Sequence, residues 1–311
     1  MADQTMVQSS SLIDTDALPQ PRRVRLAISK RLRWLPRFFK PGLIREALYL
    51  SAAMKNRYEC VRGLYFRDRA PMQVEFRNGA RLESSRRDSL FFLVEEIVAA
   101  RCYTPRWFYK PGPEDVVVDV GANIGVFVTH ICNLSASARV ACFEPDPWSY
   151  GRLAHNVAVN NLAHRVEVHQ TAVWREEGVV YLGLSSNDKS VGQRTVAHAD
   201  GAATPVKCVS LAQALDLADP TGGPIALLKI DAEGAETDIL EAAGPAAMRR
   251  VQRVALEYHS AEKRIKCNEL LKGYGFSVRL GMGNADEGIY LASRTVGGAD
   301  AQPSWPRRQN S

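Results

Sequence analysis

Short apolar runs and helical patterns alternate along residues 114–294 of the chain. Residues 116–120 and 225–230 are mainly apolar, as is typical of strands buried on both faces of a sheet. Helical patterns follow them, at residues 124–134 and from Glu236 onward. This alternation predicts a doubly wound, mostly parallel α/β sheet.

Further strands and helices complete this pattern. The last two predicted strands are separated by a short glycine-rich turn with no helix, which predicts an antiparallel edge. The further strands are predicted at residues 139–143, 165–173, 179–184, 204–209, 254–258, 276–280 and 289–293. The further helices are predicted at residues 147–161, from Ser210 onward, and from the end of the strand 254–258 to about Lys272.

An appendage precedes the sheet. Asn78 and Gly79 lie between two alternating segments and predict a β-hairpin. Helices are expected on either side of it, at residues 42–60 and 89–102. The predicted division is a basic, partly disordered helical extension (1–71), a hairpin and helix lead-in (72–113), the sheet domain (114–294) and a disordered tail (295–311).

The net charge of +6 comes entirely from the first 60 residues, where Lys and Arg exceed Asp and Glu by six. Residues 22–45 carry nine basic side chains, no acidic one and interleaved aromatic residues. Such a segment suits an anionic surface, and the alternative is a solvated helix beside the main domain. Peripheral contact with an anionic membrane is therefore one predicted partner.

The composition is that of a folded protein, with 46% hydrophobic residues. No stretch approaches 18 apolar residues, so no transmembrane helix is predicted. The six cysteines form no C-x-x-C pair, which favours reduced thiols and a cytoplasmic location. The polar first 16 residues argue against a secretory signal.

A glycine-containing turn follows the first strand of the sheet. Gly121, Asn123 and Gly125 form a G-x-N-x-G sequence two residues after Asp119, and Glu144 ends the second strand 23 residues after Gly121. Ligands of such sheets bind beyond the carboxyl ends of the strands. A carboxylate at this distance can accept hydrogen bonds from ribose hydroxyls.

Two cofactor classes use such a turn. A dinucleotide needs G-x-G-x-x-G, so that its pyrophosphate rests on a helix N-terminus. Asp119 would repel a pyrophosphate but suits the ammonium group of a methionine moiety. The sequence therefore favours S-adenosyl-L-methionine over NAD.

At these motifs the chain resembles the FkbM-type S-adenosylmethionine-dependent methyltransferases, over about residues 72–293. The residues that carry the resemblance are Val118-Asp119-Val120-Gly121-Ala122-Asn123-Ile124-Gly125, Cys142-Phe143-Glu144-Pro145 and Leu228-Lys229-Ile230-Asp231-Ala232-Glu233-Gly234-Ala235-Glu236.

The resemblance implies a seven-stranded class I methyltransferase (Rossmann-like) fold and O-methylation of a sugar, glycan or natural-product hydroxyl. It also implies that the glycine turn lines the methionine half of the cofactor and that Glu144 holds the ribose. Gln170-Thr171-Ala172 replaces the acidic or Ser residue that many relatives use for adenine, so the adenine contacts are unassigned. The predicted cofactor-binding residues are Asp119, Gly121, Ala122, Asn123, Gly125, Glu144 and Pro145.

Charged side chains gather at the ends of two neighbouring predicted strands. Lys229 and Asp231 end one strand, Glu233 follows, and Glu257 and His259 end the next. Period-2 alternation places Lys229 and Asp231 on the same side, at the mouth of the cleft. We expect the carboxylates and His259 to converge near the transferred methyl group.

A hydroxyl acceptor must lose its proton, to a general base or through a metal ion. In one interpretation His259 or Asp231 is the base and Lys229 adjusts its neighbours. In the other, the carboxylates and His259 hold a divalent metal. The metal-free base is favoured, because the sequence fixes no ligand geometry. Glu233 and Glu236 could alternatively stabilise a helix N-terminus.

Two other functions remain alternatives. A non-catalytic adenosine-ligand binding protein would have no use for these carboxylates. A nucleic-acid methyltransferase, suggested by the basic N-terminus, often carries an Asn-Pro-Pro-Tyr-like tetrapeptide where this chain reads Lys-Ile-Asp-Ala. The expected acceptor is therefore a small molecule, glycan or lipid-linked molecule and not a nucleic acid.

Overall fold

The computed structural model of the protein describes residues 41–66, 72–84, 87–184, 193–196 and 204–294. Most of the basic segment 22–45, the segment 1–21 predicted to be disordered and the predicted tail 295–311 lie outside the described residues. Within the described part, no helix is long and apolar enough to cross a membrane. All six cysteines are buried and free of disulfide bonds.

The centre of the protein is a seven-stranded sheet, whose strands are β3 (Val116–Val120), β4 (Arg139–Phe143), β5 (Val166–His169), β10 (Leu227–Ile230), β11 (Arg253–Tyr258), β12 (Phe276–Gly283) and β13 (Gly288–Arg294). Their order across the sheet is β12-β13-β11-β10-β3-β4-β5. Five strands are parallel, and β13 pairs antiparallel with both β11 and β12. The predicted doubly wound α/β sheet with an antiparallel edge is therefore confirmed.

Helices cover both faces of this sheet. Alternate residues of β3 belong to opposite faces: Val117 packs in one hydrophobic cluster, and Val116, Val118 and Val120 pack in the other. Asp119 alternates with Val118 and Val120, and so shares the face of Val117. The helices are α4 (Val126–Leu134) and α5 (Pro147–Val159) on the face of Val117, and α6 (Leu211–Ala218), α7 (Glu236–Arg250) and α8 (Ala261–Gly273) on the other.

A second, four-stranded sheet was not predicted. The strand expected at 165–173 divides after β5, because Thr171 donates a backbone hydrogen bond to His169 in a tight turn. The chain then enters a sheet whose strands are β6 (Ala172–Trp174), β7 (Gly178–Leu184), β8 (Gln193–Val196) and β9 (Thr204–Ser210). Their order across the sheet is β6-β9-β7-β8. Ser210 caps α6 as predicted, with its side chain accepting from the Gln213 backbone.

The N-terminal elements also differ in part from the prediction. The expected hairpin is present as β1 (Gln73–Glu75) and β2 (Arg81–Glu83). The helix expected at 42–60 divides into α1 (Pro41–Ala53) and α2 (Arg57–Tyr65), because Met54 bridges to Phe76 and the Asn56 side chain bonds the hairpin backbone. The helix expected at 89–102 is α3 (Arg87–Leu93) followed by a π-helical turn (Val94–Ala99).

The hairpin is fixed to the main sheet domain through α5. Asn156 is fully buried, accepts from the Glu83 backbone and donates to the Ile124 carbonyl at 2.7 Å. Asn160 pairs in the same way with the backbone of Arg81. These bonds connect the N-terminal elements to the start of α4, next to the glycine turn.

Candidate active site

The candidate site lies at the carboxyl ends of β3, β4, β10 and β11. β10 pairs in parallel with β3 on one side and β11 on the other, and Lys229 stands opposite Asp119 in the register. The loops after these strands therefore meet at one edge of the sheet, where ligands of open α/β sheets bind.

Gly121 brings two of these loops into contact. Its backbone has a φ of +76°, and a Cβ atom there would lie 1.8 Å from the backbone oxygen of Asp231. The N–H groups of Gly121 and Ala122 both donate to the Phe143 carbonyl, at 3.0 and 3.1 Å. Only glycine fits this position, because any side chain would separate the loops after β3 and β10.

The rest of the turn leads into α4. Gly125 has a φ of +87° and caps the helix, and a Cβ atom there would lie 2.8 Å from Leu153 Cδ1. Asn123 has a φ of +49°, and its backbone N–H donates to Glu144 at 2.8 Å. The turn is thus tied to the loop after β4.

Glu144 is buried, and its carboxylate accepts backbone N–H groups from Asn123 and Asp146, the latter at 2.9 Å. Burial raises its pKa to about 7, although these two hydrogen bonds oppose the shift. Each carboxylate oxygen keeps a further lone pair that can accept a hydroxyl proton. The bond to Asn123 places Glu144 beside the glycine turn, as the sequence predicts, and Pro145 follows it and is partly buried.

Lys229 does not lie at the mouth of the cleft, and this expectation was wrong. Its side chain is only 2% exposed and pairs with the fully buried Asp119 at 3.0 Å. It also donates to the Gly121 carbonyl at 2.9 Å, while Asp231 lies at 3.7 Å. A buried lysine stays charged only beside such partners. Burial opposes its charge, but Asp119 and Asp231 outweigh it and raise the pKa of Lys229.

Asp119 consequently has a different partner from the one that the sequence suggested. Its carboxylate faces Lys229 and not the solvent, so a cofactor ammonium group cannot contact it directly in this conformation. Its influence on the turn passes through Lys229 and the Gly121 carbonyl.

Asp231, Glu257 and His259 do converge, as expected. His259 Nε2 lies 3.8 Å from Asp231, 4.0 Å from Glu257 and 3.7 Å from Glu233. Their side chains are partly exposed, whereas β10 beneath Asp231 is buried along its whole length. Among the described residues, Asp231, Glu257 and His259 form the group with donor atoms close enough to share a metal ion.

Glu236 fixes the orientation of His259. It is fully buried at the start of α7 and lies 2.8 Å from His259 Nδ1, which leaves Nε2 facing the carboxylates. Burial opposes the charge of His259, but the Glu236 carboxylate outweighs it and raises the pKa of His259 to about 10. Glu236 also accepts from the Gly234 backbone, so it has both the helix-terminal role and a role in the site.

Tyr103 and Glu96 also belong to the site, although the sequence did not predict them. The Tyr103 hydroxyl is buried, donates to Glu257 and lies 3.0 Å from Asp231. Glu96 is in the π-helical turn, and burial together with Asp231 raises its pKa to about 7. Burial, followed by Asp231, likewise raises the pKa of Glu257 to about 8. No sequence signal marks Tyr103 or Glu96, because both lie before the motifs.

The seven-stranded sheet and the position of the glycine turn define a class I methyltransferase fold. The family model described as the methyltransferase FkbM domain matches residues 119–278, just over half of the chain. The chain therefore belongs to the FkbM methyltransferase family.

Individual relatives are more distant. The chain is 29% identical over 229 residues to the 31-O-demethyl-FK506 methyltransferase FkbM of Streptomyces tacrolimicus, covering 65% of this chain and 87% of that protein. It is 28% identical to the hexuronic acid methyltransferase AglP of Haloferax volcanii, covering 58% and 71%. A crystal structure of a methyltransferase FkbM from Methylobacillus flagellatus aligns with a TM-score of 0.41 at 16% identity, over 80% of this chain and 58% of that one.

The Lys229–Asp119 pair generates a stability prediction. Lys229→Met keeps the length of the side chain but leaves Asp119 buried without a counter-ion. We expect the free energy of unfolding to fall by about 3–5 kcal/mol, measured by urea unfolding followed by circular dichroism. Lys207→Met, at an exposed position of β9, is the control and should change it by about 0.5 kcal/mol or less. A loss of less than ~1 kcal/mol for Lys229→Met would contradict this role.

Proposed function

We propose that this protein transfers the methyl group of S-adenosyl-L-methionine to a hydroxyl group of a small acceptor, such as a sugar, a glycan, a glycolipid or a natural product. The observation that carries the proposal is the placement of Asp231, Glu257 and His259 next to the glycine turn. A cofactor held by that turn would present its methyl group beside a set of proton acceptors.

The cofactor half of the proposal rests on the loops after β3 and β4. Gly121 allows a ligand to approach the backbone closely, and the turn ends at the N-terminus of α4. Glu144 is anchored by two backbone N–H groups and can still accept hydrogen bonds from a ribose diol. Asp119 is a positioning residue in this account, since it holds Lys229 against the Gly121 carbonyl.

Methyl transfer from a sulfonium requires the acceptor oxygen, the methyl carbon and the sulfur to lie in line. The oxygen forms a bond to the methyl carbon as the carbon–sulfur bond breaks, and the cofactor leaves as a neutral thioether. The hydroxyl group is deprotonated at the cluster of Asp231, Glu257 and His259. Two routes achieve this: direct proton transfer to the Asp231 carboxylate, or ligation of the oxygen to a cation held by the cluster, with the proton released to a neighbouring carboxylate.

The acceptor class is supported by the relatives and by the charge of the site. The names of two relatives describe methyl transfer to FK506 lacking its 31-O-methyl group and to a hexuronic acid. Carboxylates of Asp231, Glu233, Glu257 and Glu96 surround the site. Nucleic-acid binding depends on Lys and Arg contacts with phosphates, so this charge disfavours a nucleic-acid acceptor.

The function is tested with methyl-labelled S-adenosyl-L-methionine and a panel of acceptors that includes methyl glucuronide and polyhydroxylated natural products. Asp231→Asn should lower kcat by about 10²–10⁴-fold, because a general base contributes that much. Calorimetry should show unchanged cofactor binding in this variant and no binding of NAD to either protein.

Asp216→Asn is the matched control, since Asp216 is exposed in α6 and pairs with Arg250 far from the strand ends. It should leave kcat unchanged. Saturable binding of NAD without binding of S-adenosyl-L-methionine would overturn the proposal. Full activity of Asp231→Asn would remove Asp231 from the chemistry.

Glu144 generates a pH prediction. Its raised pKa of about 7 means that the carboxyl group is neutral below this pH and charged above it. The charged form is the better hydrogen-bond acceptor for a ribose diol. We therefore expect cofactor affinity to rise as the pH increases through about 7, measured by calorimetry between about pH 5.5 and pH 8.5.

Glu144→Gln should bind about 10- to 100-fold more weakly at high pH, the equivalent of ~1.5–3 kcal/mol for a hydrogen bond to a charged group. This variant should also lose the pH dependence. Asp146→Asn is the control, because it keeps the backbone N–H that donates to Glu144 and asparagine can also cap α5. This variant should keep the pH dependence. An unchanged pH profile in Glu144→Gln would show that another group titrates.

A further inference from the structure

The cluster of Asp231, Glu257 and His259 has the composition of a cation site. One donor atom from each residue lies within 4.8 Å of the other two. Two carboxylates and one imidazole form a mixed set that suits Mn²⁺ and related divalent ions. We propose that these three side chains together bind one divalent cation, and that the acceptor hydroxyl occupies one of its remaining positions.

The imidazole of His259 is held as a ligand would be. Its Nδ1 lies 2.8 Å from the fully buried Glu236 carboxylate, so the ring cannot turn away. Metal-ligating histidines usually donate their second N–H to a carboxylate or carbonyl in this manner. Its Nε2 is directed toward the site and has no partner at hydrogen-bonding distance among the three carboxylates.

The distances around Nε2 fit ligands that share an ion. Asp231 Oδ1 and Glu257 Oε1 lie 3.8 and 4.0 Å from it, too far for hydrogen bonds. Two donors that are each about 2.1 Å from one ion are about 3.0 Å apart in adjacent positions and about 4.2 Å apart in opposite ones. The observed separations lie between these limits.

A second observation concerns the hydroxyl of Tyr103, which is 2% exposed and points into the cluster from the N-terminal lead-in. It contacts carboxylate oxygens of both Asp231 and Glu257 but has a single proton to donate. Lys229 lies 3.7 Å from Asp231 but donates its hydrogen bonds to Asp119 and the Gly121 carbonyl. Asp231 and Glu257 therefore share one hydroxyl donor, and a bound cation would be a common partner for both carboxylates.

The side chains are also accessible. Those of Asp231, Glu257 and His259 are 25%, 22% and 24% exposed, so a bound ion would keep positions open for water or an acceptor. An acceptor with two adjacent oxygens, such as a vicinal diol or a hydroxy acid, could occupy two of them.

The catalytic role of this cation rests on the proposed function, whereas its binding does not. Ligation lowers the pKa of a hydroxyl group. The released proton would pass to Glu233, whose carboxylate lies 3.7 Å from His259 Nε2 and is about half-exposed. The oxygen then attacks the methyl carbon, and the carbon–sulfur bonding pair stays on the departing sulfur.

The test uses the full-length protein after treatment with EDTA and dialysis. Mn²⁺ is added, and its binding is followed by the loss of the electron paramagnetic resonance signal of the free ion. The titration is made at about pH 8.5, where fewer protons compete with the cation for Nε2 than at neutral pH. We expect one Mn²⁺ per chain.

Three ligand variants, Asp231→Asn, Glu257→Gln and His259→Gln, should each weaken Mn²⁺ binding by at least tenfold. Glu236→Gln, which changes the support of His259 without removing a proposed ligand, should weaken it by about 10- to 100-fold. Glu262→Gln, at an exposed position in the first turn of α8, is the control and should bind as the unaltered protein does. Near-ultraviolet circular dichroism identifies any variant that fails to fold. The Mn²⁺ affinities of the folded variants then decide whether the three side chains bind the cation.

Failure to bind Mn²⁺ at millimolar concentration would overturn the proposal, as would equal binding by all the variants. Calorimetry with S-adenosyl-L-methionine on the same metal-free sample separates the two claims. Cofactor binding and full methyl transfer in EDTA, without Mn²⁺ binding, would overturn the cation site and leave the proposed function. Site-specific Mn²⁺ binding without cofactor binding would overturn the proposed function and leave the cation site.

Discussion

The ion pair between Lys229 and Asp119 is the interaction on which the geometry of the site depends. It joins neighbouring central strands at opposed positions of their register and is almost completely buried. Such a pair costs desolvation energy, so it contributes more to specifying a structure than to stabilising one. Here Lys229 also holds the Gly121 carbonyl, and Gly121 touches the backbone of Asp231. The cofactor turn and the catalytic strand end are thereby fixed to each other.

Carboxylates predominate among the charged side chains around His259, next to this ion pair. Carboxylates from the loop after β10 and from the end of β11 gather around His259, and the π-helical turn adds Glu96 near Asp231. Burial and mutual repulsion raise the pKa values of Glu257 and Glu96 into the range where proton acceptors work at neutral pH. A site with this excess of carboxylates is suited to receiving a proton or a cation, which is why the same residues support both routes of deprotonation.

The sequence was sufficient for the sheet, for the turn at Gly121 and for the convergence of Asp231 with His259, because apolar runs and strand-end positions follow from local pattern. It failed where the outcome depends on tertiary contacts. Period-2 alternation placed Lys229 on the correct side of its strand, but could not show that Asp119 would draw it inward. Tyr103 reaches the site from a loop without any motif, and the second sheet begins at a turn after His169 that apolar periodicity does not mark.

A crystal structure of the protein with S-adenosylhomocysteine would test the central claim most directly. We expect the ribose hydroxyls to lie within hydrogen-bonding distance of Glu144 and the homocysteine moiety to lie over the turn at Gly121. We also expect the sulfur to face Asp231 and His259, with room for an acceptor between them. A nucleoside bound elsewhere, or a sulfur directed away from these two side chains, would contradict the account.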